Sequence, residues 1–278
     1  MIGSTVKTIG GIDKAFYWGD KWGCDSVQFY LTLSRKWEVN DMKPDQIELF
    51  KRSWKESNVK EVVAHIPYLV NLASYDDTVV QKSVQRMISE IGRAKILGVK
   101  YLVLHPGSTP EGKDKGFLKI KKSFDNIFKS VDFGGVKILI ETMAGQGNAL
   151  GSRFEEIAEL LHLLGRDDLF GVCFDTAHVF QSGYDIRGEG YDEVFEEFEK
   201  LISIRKIKAF HLNDSKTDCG SRVDRHEHIG KGKIGLDFFK KLLNDKRFKG
   251  IPKILETPET EKMSEENLKV LRSLIDKK

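Results

Sequence analysis

The chain has 278 residues, of which 40% are hydrophobic and 31% are charged. This length suits one large soluble domain, such as an α/β barrel of about 250 residues, as well as two small domains. The net charge of +3 is too small to identify a nucleic-acid-binding protein by itself. No apolar run approaches the ~20 residues that cross a bilayer, so we expect no membrane contact.

The cysteines indicate a reducing compartment. Cys24, Cys173 and Cys219 are scattered and form no CxxC pair, which is typical of free thiols inside a cell. The N-terminus lacks a charged segment followed by an apolar one, so we expect no secretory signal. We therefore expect a cytoplasmic protein, or a nuclear one if the source is a eukaryote. We also expect a monomer.

Short apolar segments recur along the chain, and stretches with helical periodicity separate them. The first segment, residues 1–6, is the weakest of eight. The other seven are residues 26–31, 61–67, 101–107, 137–143, 171–178, 207–214 and 253–258. Such apolar strands must be covered on both faces, which indicates a parallel sheet enclosed by helices. We predict a single α/β domain over residues 1–278 that forms a (β/α)8 TIM barrel, with an open doubly wound sheet as the alternative.

Glycines and caps set the expected helix boundaries. A helix from residue 78 should end at Gly98, and another should begin at Ser152 as N-cap, with Glu155 three residues on, and end at Gly165. Residues 191–204 and 235–248 show the same periodicity.

Possible metal ligands stand at the ends of the apolar segments. They are His65, His105, Glu141, Asp175, His178, His211 and Glu256. Because the C-terminal ends of barrel strands converge on one face, these side chains should meet there. Asp224 and His226 follow the seventh strand, and their spacing lets both point to the same side.

Five of the seven histidines fall in these nine positions, a clustering that chance explains poorly. We expect the other two to lie outside the site. His162 belongs to an amphipathic helix and should be a surface or packing residue, and His228 is the alternative to His226.

The donor types indicate which ions could bind. Imidazoles and carboxylates without thiolates suit Zn²⁺, with Mn²⁺ or Fe²⁺ as alternatives. Nine ligands are too many for one ion, whereas carboxylates can bridge ions about 3.5–4 Å apart, as in phosphoester cleavage. The sequence therefore predicts a multinuclear hydrolytic site.

Two glycine-rich stretches suggest nucleotide binding but do not fit its motifs. Residues 144–151 have Leu150 where a dinucleotide fingerprint needs glycine, so we expect a tight loop beside a metal ligand. Residues 230–235 (GKGKIG) lack the ending of a P-loop. Lys231 and Lys233 could touch phosphate there, or the stretch could be a solvated turn.

Five stretches together resemble the endonuclease IV family of apurinic/apyrimidinic endonucleases. They are LHPGS (104–108), IETMAGQGNALGSRFEE (140–156), GVCFDTAHVFQSGYDIR (171–187), FHLNDSKTDCGSRVDRHEHIGKGKIG (210–235) and ILETP (254–258). The resemblance extends from about Ile2 to Glu259. It implies a TIM barrel with three zinc ions that hydrolyses DNA 5′ to abasic sites, leaving a 3′-hydroxyl and a 5′-deoxyribose phosphate. It also implies removal of 3′-blocking groups.

The resemblance further implies residue roles. His65, His105 and Glu141 would hold one ion; Glu141, Asp175, His211 and Glu256 a second; and His178, Asp224 and His226 a third. Glu141, Asp175 and Glu256 would be the catalytic carboxylates. Arg35 and the pair Tyr68–Leu69 would enter the DNA stack beside the extruded nucleotide.

Two positions depart from the family pattern. The first strand ends in GSTVK where the family has GAHVS, which puts Thr5 in place of a histidine that is not a ligand. Thr142 replaces an asparagine that follows the ligand Glu141. Thr5 should alter the contacts of the first strand with DNA or with residues that hold the ligands. Thr142 should alter a hydrogen bond to a ligand and so shift metal preference or rate.

Two other functions remain open from the sequence. A sugar isomerase or epimerase on a related barrel would use one ion and a tetrad like Glu141, Asp175, His211 and Glu256. A non-catalytic binder of damaged DNA would keep the inserting residues without cutting.

Overall fold

A computed structural model describes residues 1–32 and 36–276. Its strands, in chain order, are β1 (Ile2–Thr5), β2 (Ser26–Phe29), β3 (Glu61–His65), β4 (Tyr101–Leu104), β5 (Lys137–Glu141), β6 (Phe170–Asp175), β7 (Ile207–His211), β8 (Asp214–Ser215), β9 (His226–Glu227) and β10 (Lys253–Leu255). Within the described residues, β1 to β7 and β10 form a closed parallel barrel. Because β1 pairs with both β2 and β10, the barrel prediction is confirmed and the open sheet is wrong.

Helices between the strands cover the outside of the barrel. They are α1 (Lys14–Trp22), α2 (Pro44–Glu56), α3 (Asp77–Leu97), α4 (Lys113–Ser130), α5 (Phe154–Leu164), α6 (Thr176–Ser182), α7 (Gly190–Leu201), α8 (Leu236–Asn244) and α9 (Thr260–Ser273), with short 3₁₀ turns at Ile204–Lys206 and Lys246–Phe248. Across residues 1–32 and 36–276 we find no helix with the length and apolar character of a membrane span.

Two of the expected helix boundaries are correct and one is wrong. Gly98 and Gly165 end α3 and α5 in the left-handed conformation, with φ of 80° and 64°. However, α5 begins at Phe154, so Ser152 is not its N-cap. The N-cap is Arg153, because its carbonyl accepts the first helical hydrogen bonds from the N–H groups of Glu156 and Ile157, at 3.0 and 3.2 Å. The Glu156 carboxylate in turn accepts from the N–H groups of Gly151 and Ser152, at 2.9 and 3.0 Å.

The chain turns from strand to helix sooner than its sequence suggests between β6 and α6. The strand ends at Asp175, whose carboxylate caps α6 by accepting from the His178 N–H at 2.8 Å. His178 therefore projects from the first turn of a helix and not from a strand.

A small apolar layer fills the inside of the barrel, separate from the larger core between barrel and helices. Its buried members are Val63, Val103, Leu139, Cys173, Ala209 and Ile254. Two positions after each of these residues, on the same strand or just beyond it, stands one of six predicted ligands. Since side chains two apart on a strand share a face, the predicted ligands lie directly above this apolar layer, which we call the floor.

We expect Leu139→Ala to destabilise the protein by about 2–5 kcal/mol, because it opens a cavity in this floor. Leu139 is fully buried. Urea unfolding followed by circular dichroism would measure the change. Leu118→Ala on α4 is the control, since Leu118 is 63% exposed and should cost less than about 0.5 kcal/mol. Equal losses in the two variants would contradict the floor assignment.

Candidate metal centre

All nine predicted ligands lie together at the C-terminal mouth of the barrel. Three groups have donor atoms within 4.8 Å of one another: His65, His105 and Glu141; Glu141, Asp175, His211 and Glu256; and Asp175, His178 and His226. Asp224 adjoins the third group, with its Oδ1 3.3 Å from His178 Nε2 and 3.4 Å from His226 Nε2.

Glu141 joins the first group to the second. Its Oε2 lies 3.1 Å from His65 Nε2 and 3.0 Å from His105 Nε2, while its Oε1 lies 3.0 Å from His211 Nδ1. Burial opposes ionisation of this carboxyl, but the His211 and His105 imidazoles outweigh it and hold the pKa of Glu141 well below its usual range. A buried carboxylate with both oxygens turned toward imidazoles has the geometry of a bridging ligand.

Asp175 joins the second group to the third. Its Oδ2 lies 3.7 Å from His211 Nδ1 and 3.8 Å from His226 Nε2. The same oxygen accepts a hydrogen bond from Asn213 Nδ2 at 2.7 Å, which fixes the carboxylate in the space between the groups.

Three of the imidazoles are anchored on one nitrogen and present the other to the site. His65, His178 and His226 each turn Nδ1 to a main-chain carbonyl. The acceptors are Ile66 O at 2.7 Å, Thr142 O at 2.9 Å and Glu256 O at 3.2 Å, respectively. A histidine whose N–H is held by a carbonyl outside the cluster is typical of metal ligation, because the bond fixes the tautomer and the ring orientation.

The buried acids and imidazoles of the site shift one another's pKa values. In the protein alone, the pKa values of His178 and His211 lie well above their usual range. Burial favours the neutral imidazoles, but it is outweighed by the Asp175 carboxylate beside His178 and by the Cys173 side chain and the Glu256 carboxylate beside His211. The Glu256 pKa falls to about 2 because the attraction of His211 exceeds the cost of burial. A cation would replace the protons that balance these carboxylates.

The site is closed at the bottom and open at one side. His65, Glu141, Asp175 and His178 are buried, whereas the His105 side chain is 26% exposed and that of Asp224 is 41% exposed. A large substrate could therefore reach the cluster from this rim.

The residues expected to insert into DNA differ in their placement. Tyr68 is 66% exposed and its ring centroid lies 5.3 Å from that of His105, directly beside the rim. Leu69 is half-buried and packs against the main core. Arg35 lies outside the described residues.

The two departures from the family pattern both make hydrogen bonds around the ligands. The Thr142 hydroxyl accepts from the Asp175 N–H at 3.0 Å, so it supports the carboxylate that joins two groups. The Thr5 hydroxyl lies 3.5 Å from Glu256 Oε1 and accepts from Gln28 Nε2 at 3.1 Å.

The GKGKIG stretch has a structural role. The N–H groups of Gly230, Gly232 and Ile234 all donate to the carboxylate of Asp214, at 2.9, 3.1 and 2.9 Å. These N–H groups are therefore used within the protein and cannot cradle a phosphate. Asp214 begins β8, which pairs with β9 and so sets the position of His226.

The loop over residues 144–151 lies beside the ligands, as the sequence predicts. Gly145, Gly147 and Gly151 have φ of 81°, 60° and 84°, which allows the tight path. Gln146 Oε1 accepts from the Asp224 N–H at 2.8 Å, so this loop holds a predicted ligand of the third group.

The two remaining histidines lie outside the three groups. His162 is exposed on α5. His228 Nδ1 accepts from Asn267 Nδ2 at 3.1 Å, which favours His226 over His228 as the ligand.

Sequence reasoning missed two buried polar residues that hold the ligands. Asn213 donates to Asp175 Oδ2 and accepts from the Glu256 N–H at 2.9 Å. Gln28 contacts both His211 and Glu256. The sequence did contain one indication of such residues: a polar residue inside an apolar strand, such as Gln28 in SVQF, must find a buried hydrogen-bond partner.

Comparison with known proteins gives the same family from sequence and from structure. Residues 16–274 match the family model described as a xylose isomerase-like TIM barrel. The protein called "Probable endonuclease 4" from Chloroflexus aurantiacus is 41% identical over 277 residues, which cover 98% of this chain and 97% of that protein. The protein of the same name from a Geobacter species is 41% identical over 280 residues and 99% of each chain.

A solved structure agrees with these relatives. The crystal structure of endonuclease IV from Thermus thermophilus superposes with a TM-score of 0.86 at 31% identity, covering 98% of each chain. The chain therefore belongs to the endonuclease IV family.

Proposed function

We propose that this protein is a metal-dependent hydrolase that cleaves DNA at the phosphodiester 5′ to an abasic site and also removes 3′-blocking groups. The observation that carries the proposal is the set of nine imidazoles and carboxylates, shared among three adjoining groups at the barrel mouth. Relatives across the full chain are named endonuclease 4, and this supports a DNA substrate.

The residues present fit three zinc ions. His65, His105 and Glu141 would hold the first ion; Glu141, Asp175, His211 and Glu256 the second; and His178, Asp224 and His226, with Asp175 close by, the third. The donors are imidazole nitrogen and carboxylate oxygen alone, as Zn²⁺ accepts in catalytic sites. Mn²⁺ or Fe²⁺ would suit some of the same donors.

Bound divalent cations would lower the pKa of bound water and offset the negative charge that develops on the phosphate. The chain's own residues set the conditions for this chemistry. Among the catalytic carboxylates, Glu141 and Glu256 are held ionised chiefly by the His211 imidazole, while Asn213 orients Asp175 and Glu256 through hydrogen bonds. Among the described residues, the apolar floor closes the cluster from below, so solvent and substrate would reach it from the rim at His105 and Asp224.

The rim is the surface that we propose for DNA. Tyr68 projects beside His105 and can stack against a base where the damaged nucleotide leaves the helix. Leu69 and Arg35 complete the inserting set. An abasic nucleotide leaves the stack at the lowest cost because it has no base to unstack. We propose that a single copy of the chain acts on genomic DNA, which places it in the cytoplasm with the nucleoid or in a nucleus.

A count of bound metal distinguishes this enzyme from a single-metal isomerase. We expect three zinc ions per chain and cleavage of a duplex that carries one synthetic abasic site. The physical reason is that the third group, with Asp224 and His226, has no use in a one-ion site. Elemental analysis of the protein used in the cleavage assay would measure both. One ion per chain without cleavage would favour the isomerase, and binding without cleavage by the metal-replete protein would favour the non-catalytic binder.

We expect Glu141→Gln and Glu256→Gln each to lower the cleavage rate by more than about 100-fold, since even residues that only support metal ligands contribute 10–100-fold. Binding to abasic DNA should be largely kept, because the rim is unchanged. Single-turnover cleavage and a fluorescence binding assay would separate the two effects. Glu61→Gln, at the opposite end of the barrel, is the control and should cut at the normal rate. Normal turnover in both site variants would disprove the assigned roles.

We expect Tyr68→Ala and Arg35→Ala to reduce the preference for abasic over intact duplex by about 5- to 100-fold, as the loss of a stacking contact does. Competition binding with the two duplexes would measure it. Tyr17→Ala is the control for Tyr68, because Tyr17 is similarly exposed (61%) but lies on α1, outside the barrel. An unchanged preference in either variant would remove that residue from the DNA contact.

A further inference from the structure

Gln28 connects two predicted ligands of the second group from β2, which lies two strands from β10 and three strands from β7 in the barrel. The residue is fully buried on β2. Its amide nitrogen donates to Glu256 Oε1 at 2.6 Å, and its Oε1 lies 2.9 Å from His211 Nε2. Gln28 thus contacts a carboxylate and an imidazole whose other atoms face the same space.

The hydrogen-bond chemistry of this contact has one consistent solution. An ionised carboxylate only accepts, so the NH₂ end of Gln28 must face Glu256. The carbonyl end then faces His211 and also only accepts, so the proton of the His211 ring must be on Nε2. When Nδ1 is unprotonated, its lone pair faces the space between Glu141 Oε1, 3.0 Å away, and Asp175 Oδ2, 3.7 Å away, where a cation would take the place of the proton.

This arrangement is opposite to that of the other anchored imidazoles. His65, His178 and His226 turn Nδ1 to a main-chain carbonyl and present Nε2. His211 presents Nδ1 and has a side chain, Gln28, as the anchor. A main-chain acceptor survives most substitutions, whereas the anchor of His211 depends on the identity of residue 28.

Thr5 completes the network and gives its departure from the family pattern a role. Its hydroxyl accepts the second amide hydrogen of Gln28 at 3.1 Å and can donate to Glu256 Oε1 at 3.5 Å. Both hydrogens and the carbonyl of the Gln28 amide are therefore satisfied, which fixes the side chain in one orientation.

We propose that Gln28, supported by Thr5, is a positioning residue for one cation, the one held by Glu141, Asp175, His211 and Glu256. Gln28 fixes the tautomer of His211 and the orientation of Glu256. The inference rests on the proposed function for the presence of that cation. It assigns to Gln28 no contact with the cation or with DNA.

Gln28→Met tests the proposal, because methionine fills a similar volume without either hydrogen bond. We expect one of three zinc ions to bind about 10- to 100-fold more weakly, as follows loss of a partner that holds a metal ligand, and the other two to bind normally. Competition with a chromogenic zinc chelator measures this without reference to activity. Equal retention of all three ions by Gln28→Met would overturn the proposal.

A spectroscopic signature tests the tautomer directly. In the zinc-loaded protein, a proton–nitrogen NMR spectrum of the imidazoles should show the His211 ring with its proton on Nε2, and those of His65, His178 and His226 with it on Nδ1. The His211 pattern should broaden or change in Gln28→Met. A His211 ring protonated on Nδ1 in the unaltered protein would overturn the assignment.

Two further variants separate positioning from folding. Ser26→Ala alters a buried residue of the same strand that contacts no predicted ligand, and it should retain zinc normally. Thr5→Val replaces only the hydroxyl with a methyl group and should weaken binding of the same single ion by about 10-fold. If Gln28→Met does not fold, Thr5→Val still tests the proposal. Normal zinc retention by Thr5→Val would then contradict the proposed network. If the unaltered protein binds no zinc cluster, the proposed function fails first.

Discussion

The alternation of side chains along β-strands is the constraint on which the site depends. In a closed parallel barrel, every second residue points inward, and the C-terminal ends of the strands meet at one mouth. Six strands each place an apolar residue inside the barrel and a predicted ligand two positions later, nearer the mouth. Leu139 and Glu141 illustrate the pairing on β5. A shift of one residue in the register of any strand would turn its ligand outward into the helices.

Electrostatics explains why these acids tolerate burial. Glu141 and Asp175 are removed from water, and each would be costly there without compensation. Imidazoles on neighbouring strands compensate for the cost of burial, and His211 faces both acids. Asn213 adds a neutral donor to Asp175. The result is a cluster in which protons and divalent cations compete for the same donors, so metal binding and ionisation are linked.

The strand pattern made much of this predictable. The recurring apolar strands, separated by helices, predicted the barrel. The polar residues that end these strands predicted seven ligands, because the strand ends converge whatever the details of the turns. The pattern could not give contacts that depend on side chains reaching across the barrel, as Gln28 does, because nothing in a single strand indicates its partner on another. The helix start at Ser152 was wrong because the first helical hydrogen bonds close on the carbonyl of Arg153, one residue later. The half-buried state of Leu69 likewise depends on loop packing that local sequence does not encode.

The third group has a different origin from the other two. Asp224 lies in the loop between β8 and β9 and His226 lies in β9, and this hairpin is organised by Asp214 and the turn wrapped around it. The register of the barrel strands therefore does not determine their place. Insertions or sequence changes in this hairpin can alter two of the nine predicted ligands while the elements that carry the other seven stay as they are. A barrel built this way can gain or lose part of a predicted metal centre by exchanging a surface hairpin, while its strands remain unchanged.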